Sequence, residues 1–227
     1  MCSSDLRPAI TTAGLLVQED LIMIQQKPDE KFYLTAGSLC FPSDWSLKEK
    51  LGLPIQEIHS PIPTLNRNLG KTIDLFLAKM QVQQQYWRVN FLLSTSPQLS
   101  QLKNVEELNQ YRKKPITREN IHCLYLRNER ETLTKLKESK NIIFTLKTYI
   151  TAFHDLHPIT AQQLALLIEA MPKEALNKYR LISEPEKEII LEYLWNKVFE
   201  YKELLFERFT HLRSSSSRNR VQAYQEN

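Results

Sequence analysis

The period of apolar and polar positions changes along this chain. The stretch "GLLVQEDLIMIQQ" is aliphatic with a polar break at "QED", which predicts one or two strands. "KPDEK" supplies turn chemistry, and "FYLTAGSLCF" returns as a strand, so a hairpin is expected. In "SLKE", Ser46 and Glu49 have capping-box spacing, and Gly52 and Pro54 end the short helix within two turns. Further on, Ile73, Phe76, Leu77 and Met80 recur at helical spacing. "YWRVNFLLST" reads as the next strand. "IHCLYLRNERETLTKL" begins as a strand, with Cys123, Tyr125 and Arg127 on one face and His122 alternating with Cys123, and turns towards helix at "RETLTKL". "NIIFTLKTYIT" is a clear strand. From "TAQQLALLIEAMP" the period becomes helical. A long helix comes next in "EPEKEIILEYLWNKVFEYKELLFERFTHL", with Leu191, Leu194, Trp195, Val198, Leu205 and Phe209 along one side as a core or docking face.

This order predicts an α+β fold: a largely antiparallel sheet interleaved with short helices, followed by C-terminal helices. Composition narrows the picture. Over 227 residues, 42% hydrophobic and 25% charged positions are those of an ordinary globular chain with a real core. The net charge of +4 is too mild to argue for nucleic acid, and no apolar run reaches the length of a membrane span. Three cysteines without a CxxC pair fit a reducing, cytoplasmic setting better than a disulfide framework. The chain has four glycines and no GxGxxG or Walker loop, so nucleotide binding by those loops is not supported. The opening lacks the basic and apolar regions of a secretory signal. Residues 1–6, "MCSSDL", look foreign to the rest of the chain: "CSSDL" can be spelled by a common sequencing adapter, and a non-native start is expected there.

Among five histidines, His59 stands out because it precedes Ser60-Pro61-Ile62-Pro63. The prolines fix φ and bias Ser60 to extended backbone, so the loop is stiff. Stiffness lowers the entropic cost of aiming an imidazole at a metal, although a loop histidine that caps a backbone group has the same look. His154 and His157 form an H-x-x-H with no third ligand placed nearby, a weak zinc signal. His211, at a helix end, suits the dipole there. In "LRNERETL", Arg127 and Arg130 flank Glu129, an arrangement that clamps an anion or closes an internal salt-bridge cluster. Arg88 and Asn90, two apart in a strand, share a face and point to one pocket or to solvent.

Taken in order, "CFPSDWSLKEKLGLPIQEIHSPIP", "WRVNFLLSTSPQL", "LYLRNERETLTKL" and "NIIFTLKTYI" resemble the heme-dependent oxidative N-demethylase family, long filed as a domain of unknown function. The first block carries most of the likeness: Phe-Pro-Ser-x-Trp, Lys-x-Gly and Ile-His-x-Pro-x-Pro at fixed separations. The resemblance runs from about Glu19 to about Tyr149, and more loosely into the C-terminal helices. It implies a PAS-like fold holding heme b, and O2-dependent removal of a methyl group from a small secondary amine with release of formaldehyde. Electrons would come from a separate flavin and iron–sulfur reductase; neither nucleic acid nor membrane is implied as a partner. His59 matches the position carried over as proximal iron ligand, and Arg88, Asn90, Arg127, Glu129 and Arg130 are carried as cofactor-binding residues, by propionate binding or by pocket ordering. No catalytic residue is assigned.

The implied organisation is an N-terminally truncated heme-binding domain over residues 7–157, a helical part of the same domain over 158–213, and a disordered tail over 214–227. The chain departs from the family pattern at Asn90-Phe91 (Asn-Trp), Arg130-Glu131 (Arg-Gln) and Leu136-Lys137 (Leu-Pro). Two other readings compete: a heme-binding PAS-like sensor or interaction module without turnover, and a heme-free protein-binding scaffold.

Overall fold

The computed structural model describes residues 9–42, 45–58, 72–101, 115–176 and 182–223, with side chains left out for residue 174 and beyond residue 206. Five strands form one antiparallel sheet: β1 (Asp20–Gln26), β2 (Phe32–Ser38), β3 (Gln85–Ser94), β4 (Tyr125–Lys135) and β5 (Ile142–Ala152), in the order β2-β1-β5-β4-β3. The fold is α+β. Two compact units divide the chain: the sheet with residues 1–114 and 124–152, and a helical unit of residues 115–123 and 153–227.

In the sheet unit the expected hairpin is β1–β2. A bulge between Met23 and Ile24 leaves Thr35 as the extra residue, and Ile24 pairs with Leu34. One sheet face is apolar at one end. Ile22, Ile24, Phe32, Leu34 and Ile142 pack there against Ile55, Leu77 and Met80 of the segment between β2 and β3. Burial of such side chains contributes about 1.5–3 kcal/mol each. The helix predicted around Ile73–Met80 occupies residues 72–79; Leu77 and Met80 are buried, while Phe76 lies half out and meets the Tyr86 ring edge-on at 5.1 Å. Gly37 permits a close approach, since a Cβ there would stand 2.9 Å from the Leu47 side chain.

Local expectations were corrected in several places. The helix Leu47–Lys50 starts at Ser46, but the Ser46 side chain makes no capping bond; the Glu49 amide is taken by the Ser46 carbonyl instead. The segment "RETLTKL" does not turn helical. It completes β4, because Thr132, Leu133 and Thr134 are laddered to β3 on one side and β5 on the other. Two-sided pairing and β-branched residues outweigh a local helical reading. His122 and Cys123 lie in a single 3₁₀ turn, Ile121–Cys123, not in a strand. A short helix, Ala9–Gly14, was not anticipated.

The helical unit is built on two helices, Pro158–Ala170 and Glu184–Ala223. Ala161, Leu164, Ala165 and Ile168 of the first and Ile190, Leu194 and Val198 of the second are buried. The observed inner stripe thus has i, i+4, i+8 spacing centred on Leu194; Leu191 and Trp195 flank it, Leu205 is more exposed, and Phe209 lies outside the described side chains. The second of these helices is 40 residues long. No helix among the described residues is long and apolar enough to cross a membrane.

Candidate functional site

Side chains alternate across a strand, so Arg127, Glu129 and Glu131 of β4 share one sheet face. The ladder sets Asn90 opposite Glu129 and Arg88 opposite Glu131 on β3, and Thr148 opposite Glu129 on β5. On β1, Asp20 pairs with Leu146, which itself stands opposite Glu131, and so joins the same face. The face that is apolar at one end therefore carries buried ionic groups at the other.

Arg127 is fully buried. Its Nε donates to Glu129 Oε1 at 3.0 Å, one terminal nitrogen donates to the Leu99 carbonyl at 2.6 Å, and the other to the Phe41 carbonyl at 2.8 Å and to Thr148 Oγ1 at 3.2 Å. Asn90 donates to the second Glu129 oxygen at 3.3 Å. Arg88 pairs with Glu131 at 2.5 Å, with a guanidinium side 71% exposed and a carboxylate side 8% exposed. Asp20 is 1% exposed; its Oδ1 accepts the amides of Cys40 at 2.5 Å and Phe41 at 3.1 Å, while its Oδ2 is buried with no hydrogen-bond partner.

Three buried carboxyls thus share one face with two guanidiniums, that of Arg127 buried and that of Arg88 largely exposed. Burial pushes the Asp20 carboxyl above its ordinary value, against the opposing pull of the Cys40 and Phe41 amides and of Arg127. Burial likewise raises Glu131, opposed by Arg88. Removing a carboxylate from water disfavours its charged form, and a formal excess of acid on one face adds to this.

Of the residues singled out from the sequence, the sheet brings together Arg88, Asn90, Arg127 and Glu129. Arg130 is not with them. It points from the opposite face, is exposed, and lines a shallow groove of ≈ 250 Å³ with Glu19, Thr132, Thr145 and Lys147. The pair of arginines flanking Glu129 is therefore split by the pleat: Arg127 binds Glu129 and Arg130 faces away. His59, with the Pro-x-Pro after it, lies outside the described residues. The H-x-x-H histidines serve separate local roles: His157 Nδ1 accepts the Ile159 amide at the helix start, and His154 sits by Asp155 at 3.4 Å. No group of three or more candidate metal ligands occurs among the described residues; a heme iron needs only an axial ligand from the chain.

Sequence reasoning missed Asp20, which was read as part of a polar break, and Glu131 and Thr148. For Glu131 a signal existed: it continues the two-residue period of Arg127 and Glu129. For Asp20 and Thr148 none did, because their partners come from distant segments.

The family model described as "Haem-dependent oxidative N-demethylase, alpha subunit-like" matches residues 2–190, which includes the whole sheet, the segment with His59 and the start of the long helix. With that span matched, the chain belongs to the heme-dependent oxidative N-demethylase alpha-subunit-like family.

Proposed function

We propose that the protein binds heme b in a PAS-like domain and uses it, with O2 and electrons from a separate flavin and iron–sulfur reductase, to remove a methyl group from a small secondary amine. The observation that carries this reading is the family match over residues 2–190. The strand order β2-β1-β5-β4-β3, with its helices between β2 and β3, supports the PAS-like part. The donor set fits a heme in part. His59 would hold the iron. Arg88, with its guanidinium largely exposed, and Asn90 suit contact with an anionic propionate edge. Arg127 has donors committed to four protein acceptors and suits ordering of the pocket wall, with Glu129 as its fixed counter-ion. Arg130 stands apart from these, on the other face.

When bound, heme supplies one-electron and O2 chemistry that no side chain offers. The chain contributes the surroundings. Glu131 and Asp20, both shifted up by burial, hold a proton on the buried face more tightly than ordinary carboxyls do. Glu131, joined to the exposed Arg88, is the one nearer to water. An amine must be a free base before oxidation, and a carboxyl of raised affinity for protons is a suitable acceptor for that proton.

The test is an absorption spectrum of the purified protein after expression with heme supply, for wild type and His59→Ala. A Soret band in the wild type that shifts or disappears in the variant is expected. Identical spectra would remove His59 as ligand, and no band in either would remove heme. NADH-driven formaldehyde release, with amine and reductase present, separates an enzyme from a heme-binding sensor.

A further inference from the structure

Three of the sequence blocks that carry the family likeness meet at one guanidinium. Arg127 belongs to "LYLRNERETLTKL". Its terminal nitrogens donate to the carbonyl of Phe41, from "CFPSDW", and to that of Leu99, from "STSPQL". The two segments are also tied directly, since the Gln101 amide donates to the Pro42 carbonyl at 2.9 Å, and Gln101 Nε2 anchors its own segment to Ser94 Oγ at 2.8 Å. From the other side Asp20 takes the Cys40 and Phe41 amides on a single oxygen. The peptide groups around Phe41 are thus held at N–H and at C=O by two buried side chains, one acidic and one basic, from strands that are not neighbours in the sheet.

We propose that Asp20 and Arg127 are positioning residues that act as a two-sided clamp: they hold Cys40–Pro42 and Leu99–Gln101 together and so fix the backbone that precedes, in sequence, the block carrying His59. A simple internal salt bridge needs neither feature. Among the described residues Arg127 has its ion pair in Glu129, yet it spends further donors on two carbonyls of irregular backbone. Among the described residues Asp20 makes no direct ion pair; its hydrogen bonds go to two consecutive amides. Carbonyls and amides of a loop inside a protein must find partners, and buried side chains that supply them fix the backbone's direction. Trp45, three residues beyond Pro42 in sequence, packs on the apolar end of the same sheet face.

The link to a heme pocket rests on the function proposed for this family member; the clamp itself does not. The experiment is therefore run first on heme-free full-length protein, by amide hydrogen exchange, for wild type, Asp20→Asn, Asp20→Ala and Arg127→Lys. Asn keeps an acceptor at the Oδ1 position, and Lys keeps the charge without the fork. Arg127→Lys and Asp20→Ala are expected to speed exchange at Cys40, Phe41 and Gln101 by about 10- to 100-fold, with the β4–β5 ladder unchanged, and Asp20→Asn to stay near wild type. Unchanged exchange at those amides in Arg127→Lys, or equal acceleration across the whole sheet, overturns the clamp. Heme titration of the same proteins is the second step. Arg127→Lys is expected to lose at least about tenfold in affinity and to shift the Soret band, with Asp20→Asn retaining both. Local deprotection with unaltered heme affinity overturns the positioning role. A wild type that takes up no heme overturns the heme reading and leaves the exchange result standing.

Discussion

The two oxygens of Asp20 live in different circumstances. One accepts two backbone amides, and the other is buried without a partner. A charged carboxylate in that setting costs more than a neutral one. Burial therefore lifts its proton affinity above the ordinary value of 3.8, and the charges facing it are Arg127, which lowers it, and Glu129, which raises it. The folded state then binds the proton more tightly than the unfolded chain does. The stability this confers is complete below the ordinary pKa and is lost as pH rises through the raised one. Asp20→Asn, which cannot titrate, removes that loss. The urea midpoint of the wild type relative to Asp20→Asn should fall as pH rises above the ordinary value of 3.8 and through the raised one, with Glu131 titrating in both and cancelling. Parallel curves would mean that Asp20 titrates alike in both states.

At the scale of the element, β4 shows how one strand serves two environments. Its odd positions from Arg127 to Glu131 build the buried ionic face, and Arg130 between them stays exposed. A reading by sequence neighbours grouped Arg127, Glu129 and Arg130 as one clamp; the pleat divides them. The short helix Leu47–Lys50 shows the opposite case, a feature set locally. It ends at Leu51, and Gly52 then takes φ +85°, while the Gly52 amide donates to the Leu34 carbonyl at 2.8 Å. A Cβ at Gly52 would touch nothing within 4 Å, so Gly52→Ala should cost only the backbone strain, about 1–2 kcal/mol in chemical denaturation. A cost near zero would mean that the turn relaxes to negative φ.

The whole molecule joins a sheet closed by distant pairings to a unit of two helices close in sequence. β1 pairs with β5, its central neighbour, although β2, β3 and β4 lie between them in sequence, whereas the helices Pro158–Ala170 and Glu184–Ala223 follow each other closely. Long-range pairing carries the larger loop-closure cost. In pulse-labelling during refolding, amides of residues 161–170 and 188–198 should gain protection before those of Leu21–Ile24. Simultaneous protection would indicate that the sheet and helices form in one step.

The amino-acid sequence by itself determined the α+β class, the β1–β2 hairpin, strands β3 and β5, the helix around Leu77 and the two C-terminal helices. Each of these arises from a local period or from turn residues such as Gly52. It also placed Arg88 and Asn90 on one face, because a two-residue spacing in a strand permits nothing else. Motif order pointed to the family. Only the tertiary structure decided that "RETLTKL" is strand, since ladder bonds on both sides outweigh a segment's own preference. Only it decided that Arg127 turns inward to Phe41 and Leu99 while Arg130 turns out, and that Asp20 is a buried partner of the Cys40–Phe41 backbone. These depend on groups that are distant in sequence and close in space, where burial, not spacing, sets what a charge must bind.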